Sequence, residues 1–259
     1  MKRWQIYSIL LCSLSALSLY AGPINLGAAS NFAVLGASTV TNTGPTTVSG
    51  DLGVSPGSAI TGFPPGVVIN GTTHAGDPVA ANAHADALTA YNFLAGLTPT
   101  QQLTGQDLGG LTLTPGVYWF ATSADLTGQL TLDLEGDPNA LFVFKIGTTL
   151  TTATDSSVIT IDGTDCCNVY WQVGTSATLG TTTDFIGSIL ADSSITLNTG
   201  ANIADGRALA LMGAVTLDTN QIAIGSSETA IPEPGTVLLL GVGLFGMVLL
   251  GRISRKRAA

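Results

Sequence analysis

The chain has 259 residues, 32 of them Gly, with 10% charged side chains and a net charge of −9. That length supports a real core in one or two domains. Six of the eight basic residues (Lys2, Arg3, Arg252, Arg255, Lys256, Arg257) lie at the termini, and residues 23–227 keep only Lys145 and Arg207 against fifteen acids. A surface of that sign repels phosphate backbones and argues against nucleic acid as a partner.

The first 21 residues read as a secretory signal: a basic start, an apolar run from Ile6 to about Leu19, and small Ala21 and Gly22 before Pro23. Cleavage is expected near Ala21 and removes Cys12. Residues 22–225 form the mature domain. Near its start Thr39, Thr41 and Thr43 alternate outward around Val40. Further on, Asp77 as N-cap, Pro78 at the first helical position and a stop at Gly96 predict one helix. Its packing stripe is expected at Val79, Ala83, Ala87, Tyr91 and Leu94.

From residue 111 one phrase recurs, apolar–Thr–apolar, centred on Thr112, Thr131, Thr160, Thr178, Thr196 and Thr216, with a blurred copy near Leu150. Intervals of 18 to 20 residues between most successive copies mark an internal repeat. The period of two within each copy is that of a strand with one buried face. A second apolar phrase follows each copy, and Gly, Asp and Asn separate them, as expected for coils of a β-solenoid.

The remaining cysteines, Cys166 and Cys167, are neighbours and cannot staple distant segments. Residues 226–231 read as a linker. In 232–259, Pro232-Glu233-Pro234 precedes sixteen uncharged residues, 236–251, and a basic end. As a helix that run is about 24 Å long, short for a hydrocarbon core of about 30 Å. This tail resembles the PEP-CTERM sorting signal. The resemblance implies export across the inner membrane and processing by exosortase, with release at the surface or retention by a C-terminal anchor.

The blocks "NFAVLGASTVTNTGPTTVSGDLGVSPG", the Ala-rich helix, "LTPGVYWF", "LTLDLEGDPNALFVFKIG" and "GRALALMGAVTLDTN" together resemble the bacterial and fungal ice-binding-protein family. That resemblance implies a mainly β fold: a right-handed, discontinuous β-solenoid of triangular section with one α-helix alongside. Early and late segments intercalate in such a fold. Thr43-Gly44-Pro45-Thr46 and Thr199-Gly200-Ala201-Asn202 fit the family's loose Thr-Ala/Gly-x-Thr/Asn pattern. Leu211-Met212 departs from the polar pair common at that place.

Conventional chemistry is thinly supported. His74 and His84 lack further ligands at metal-binding spacing, so a surface or capping place is expected for both. No G-x-S-x-G elbow or phosphate loop occurs. Asp133, Glu135, Asp137 and Asn139 suit a solvated turn better than a Ca²⁺ loop. No catalytic residue, metal or cofactor is expected.

Thr is left to carry function. Stacked rungs repeat about every 4.8 Å and alternate strand residues about every 6.7 Å, so outward Thr builds a lattice of methyls and hydroxyls. The lattice serves either as a scaffold ladder or as a surface that orders water as ice does. Thr160, Thr178, Thr196 and Thr216 form one candidate face, and Thr39, Thr41, Thr43 and Thr46 a rival one. The functions expected are ice binding by an exported protein or, alternatively, a structural or adhesive role in an exopolysaccharide matrix.

Overall fold

The computed structural model describes residues 24–163 and 168–225. A short 3-10 turn, Gly27–Asn31, opens the chain. The first rung is β1 (Phe32–Gly36), β2 (Thr39–Thr43) and β3 (Thr47–Ser49); the second is β4 (Asp51–Val54), β5 (Ala59–Thr61) and β6 (Val67–Ile69). Strand β7 (Thr73–Ala75) leads into α1 (Pro78–Gly96), followed by β8 (Gln101–Gln102) and β9 (Thr112–Leu113). Full rungs resume with β10 (Gly116–Phe120), β11 (Ala124–Leu126) and β12 (Gln129–Asp133), then β13 (Phe142–Ile146), β14 (Leu150–Thr152) and β15 (Ser157–Ile161). The remaining strands are β16 (Val169–Val173), β17 (Ala177–Leu179), β18 (Asp184–Ala191), β19 (Ile195–Leu197), β20 (Asn202–Ala210), β21 (Val215–Asp218) and β22 (Gln221–Ala223).

All strand pairs are parallel, and the rungs stack into a three-sided β-solenoid. One flank is a sheet of its own, in the order β11-β14-β17-β19-β21-β2-β5. The other two merge because β18 and β20 are long and turn a corner, pairing on both sides of a register shift between Ile186 and Ser188. Glycine makes that corner possible. Gly187 has φ 105°, and a Cβ on it would lie 2.7 Å from the Val169 carbonyl oxygen; on Gly206 in the next rung it would lie 2.0 Å from the Gly187 oxygen.

The stacking order is not the chain order. The first rung lies against the last one made, β1 on β20, β2 on β21 and β3 on β22. This is the intercalation that the family resemblance implied.

Inside, rows of like side chains stack from rung to rung. Tyr118, Phe144 and Trp171 pile face to face with ring centroids 5.3 and 3.9 Å apart, and Phe185 tilts against the indole at 4.8 Å. The Trp171 Nε1–H donates to the Ile186 carbonyl at 3.0 Å, so the indole is buried without a lost hydrogen bond.

The helix begins and ends where its sequence signals place it. The Asp77 carboxylate accepts from the Ala80 N–H at 2.9 Å, and His74 Nδ1 bonds the other carboxylate oxygen at 2.8 Å. The buried row is Ala80, Ala83, Ala87, Ala90 and Leu94. Val79, expected in that row, is exposed, and Tyr91 is half-buried. Spacings of 3 and 4 hold the row on one line, whereas successive steps of 4 drift around the helix. Ala there lets the helix approach Leu35, Val143, Tyr170, Leu190 and Leu209 closely, so β13 and β16 are buried on both faces. Lys145, one of two basic residues in the domain, donates to the Leu97 carbonyl at the helix C-terminus, where a cation is favoured. The other, Arg207, donates through Nη2 to the Ser30 carbonyl at 2.7 Å and ties down the opening turn.

Candidate functional site

The separate seven-stranded flank carries the candidate surface. Its Cα register runs Asp125, Thr151, Thr178, Thr196, Thr216, Thr41, Thr61 from rung to rung. Alternation sets the direction of these side chains: Ala124, Ala177, Ile195, Val215 and Val40 before them are buried, and so are Leu126, Leu179, Leu197 and Leu217 after them. The row itself is half-buried or exposed throughout. Six threonines therefore stand in one unbroken line about 24 Å long at the usual strand spacing.

The neighbouring outward rows are low. Ser176, Ser194, Ala214, Thr39 and Ala59 lie on one side, and Gly180, Asn198, Asp218 and Thr43 on the other, where the place two residues after Thr61 falls to half-buried Phe63. No basic side chain stands in these rows, and the one aromatic, Phe63 at the terminal rung, packs against the core. At one margin Asp218 accepts from the Thr199 and Thr219 hydroxyls, which engages its charge within the surface.

The sequence-level grouping needs two corrections. Thr160 is not in the row with Thr178: it lies in β15 on another flank and pairs with buried Leu132, while Ile159 takes the place beside outward Thr131. Thr46 is fully buried; its Oγ1 accepts the Asn220 N–H at 3.1 Å and holds a corner together. The two rival faces are otherwise a single surface, because β2 docks on β21. Thr39 and Thr43 sit at its margins. Thr61, Thr151 and Asp125 belong to the row and were missed. Their signals were present: Thr61 follows Ala59-Ile60, and Thr151 follows Leu150 within "TTLTTAT".

Other candidates fall into structural places. Asp133 and Asp137 accept the backbone N–H groups of Glu135 and Asn139, as in an Asx turn. His74 bridges Thr72 and Asp77. His84 is half-buried rather than on the surface or at a cap, and burial pushes its pKa down. Leu211 is buried, whereas Met212 is exposed at the corner before β21. Among the described residues no three His, Cys, Asp or Glu converge as a metal site. Cys166, Cys167, the signal 1–21, the linker 226–231 and the tail 232–259 lie outside the described residues, apart from which no helix is long and apolar enough to cross a membrane.

Residues 34–223 match the ice-binding-like family. The chain belongs to that family. An ice-binding protein of Nostoc sp. (strain HG1) is 59% identical over 233 residues, 88% of this chain and 86% of the relative. Among solved structures, an ice-binding protein of the Antarctic ascomycete Antarctomyces psychrotrophicus superposes with TM-score 0.75 at 41% identity, over 79% of this chain and 100% of that one. An ice-binding protein from an Antarctic biological consortium gives TM-score 0.74 at 48% identity, over 78% and 90%. This ice-binding-like chain also carries a PEP-CTERM protein-sorting motif, matched over residues 230–256 and including Pro232, Glu233 and Pro234.

Proposed function

We propose that the protein is exported and binds ice, without catalysis, through the flank that carries Thr41, Thr61, Thr151, Thr178, Thr196 and Thr216. The observation that supports this most is the unbroken Thr register across six rungs. A β-branched side chain on a strand has little χ1 freedom, so methyl and hydroxyl are in place before ice arrives. Little ordering entropy is then lost on binding, and many weak contacts act together. Molecules of water held between the rows merge with a growing ice layer, and adsorption stops growth there. Purified domain should shape ice crystals and slow recrystallisation at micromolar concentration without added metal. Protein that leaves ice growth unaltered would sink this reading.

The sorting motif favours a second role for the same fold, as a structural or adhesive component of the cell surface or its exopolysaccharide. Exosortase is the processing partner that the motif implies, with a transient or retained C-terminal anchor. Retention of exopolysaccharide by protein that is inert toward ice would favour this alternative.

A further inference from the structure

We infer that Asp125 ends the ice-contacting row and so sets the length of the lattice; this rests on the proposed ice-binding reading. Asp125 occupies, in register with Thr151, the same outward position that threonine fills in the next six rungs. It is exposed, between buried Ala124 and Leu126, so its carboxylate rises from the same plane as the hydroxyls. At the other end the row stops because β5 is the last strand of the flank. Both ends of the flank are terminal strands, β5 and β11, but at β11 a change of side chain stops the threonine row one rung short of the edge.

The chemistry of that change is unfavourable to ice. A carboxylate has no methyl to fill the gap between water layers and accepts hydrogen bonds without donating. Pressing it against a solid that cannot re-solvate the charge costs far more than presenting a hydroxyl. Asp218 differs, since hydroxyls of Thr199 and Thr219 engage it at the margin. Strand β11 is also the edge of its sheet, and a charge on an edge discourages pairing with another chain. Edge protection alone predicts a change in association and none in ice activity, which separates the two roles.

Full-length chains carrying Asp125→Thr, Asp125→Asn and Thr151→Asp, purified beside wild type, test this by recrystallisation inhibition and by sedimentation. Asp125→Thr adds a seventh threonine and should lower the concentration needed for inhibition roughly twofold while sedimentation stays that of wild type. Asp125→Asn should gain less, because it loses the charge without supplying the methyl. Thr151→Asp moves the boundary one rung inward and should weaken inhibition. Equal activity of wild type, Asp125→Thr and Thr151→Asp overturns the inference while leaving ice binding standing. A wild type inert toward ice overturns both.

Discussion

Thr41 and Thr216, 175 residues apart in the chain, face each other on adjacent rungs with their hydroxyl oxygens 3.5 Å apart. Through this pair, threonines from the start and the end of the domain become one surface. Thr196→Tyr and Thr41→Tyr should therefore both strongly reduce ice activity, each ring lifting the flank off the same lattice. Outward strand positions tolerate aromatics, so circular dichroism and melting temperature should change little. Loss at Thr196 with full activity at Thr41 would mean that the N-terminal rungs do not take part.

Local signals carried much of this fold. Asp77, Pro78 and Gly96 bounded the helix because capping and breaking are short-range effects. Alternation of Leu with Thr marked strands for the same reason. Rung order was not legible from spacing, since the contact of β2 with β21 spans nearly the whole domain. Thr160 was grouped with Thr178 because both follow an apolar residue at repeat spacing, and periodicity cannot say which of three flanks a strand occupies. Thr46 looked like surface in a loose four-residue pattern, yet its hydroxyl is needed inside by the Asn220 N–H.

Replacing Thr46 by Val tests that internal role. The shape is kept and the acceptor lost, so stability should fall by about 1–3 kcal/mol in chemical denaturation. Ice activity of the folded fraction should stay near that of wild type. A large loss of ice activity with unchanged stability would assign Thr46 to the surface instead.

Acid should weaken the attachment of the helix. The Ala80 N–H first, and then His74, hold Asp77 below the ordinary aspartate value of 3.8. A carboxyl with a lowered pKa in the fold contributes stability above the unfolded value and loses it as pH falls through the folded one. The gap in melting temperature between wild type and Asp77→Ala should accordingly narrow as pH falls from the unfolded value through the folded one. Asp77→Asn keeps a capping oxygen and should remove the pH dependence. A gap that is constant with pH would mean that Asp77 acts only by shape.

Protein recovered from its native host should lack residues beyond about Pro234, as expected of a processed sorting tail. Intact mass decides this directly. A mass that includes Arg255 to Arg257 would mean that the tail stays as a simple anchor.

The docking of the first rung on the last has a consequence for biogenesis. Strands β1 to β3 are made first, but the neighbours β20 to β22 that cover them are made last. Closing so long a loop is slow and leaves early strand edges unpaired until synthesis is nearly complete. A chain stopped before Val215 holds two partial rows, Thr151 to Thr196 in one and Thr41 to Thr61 in the other, and neither spans the flank. The continuous threonine row is thus completed late in folding, only when β21 joins the two parts.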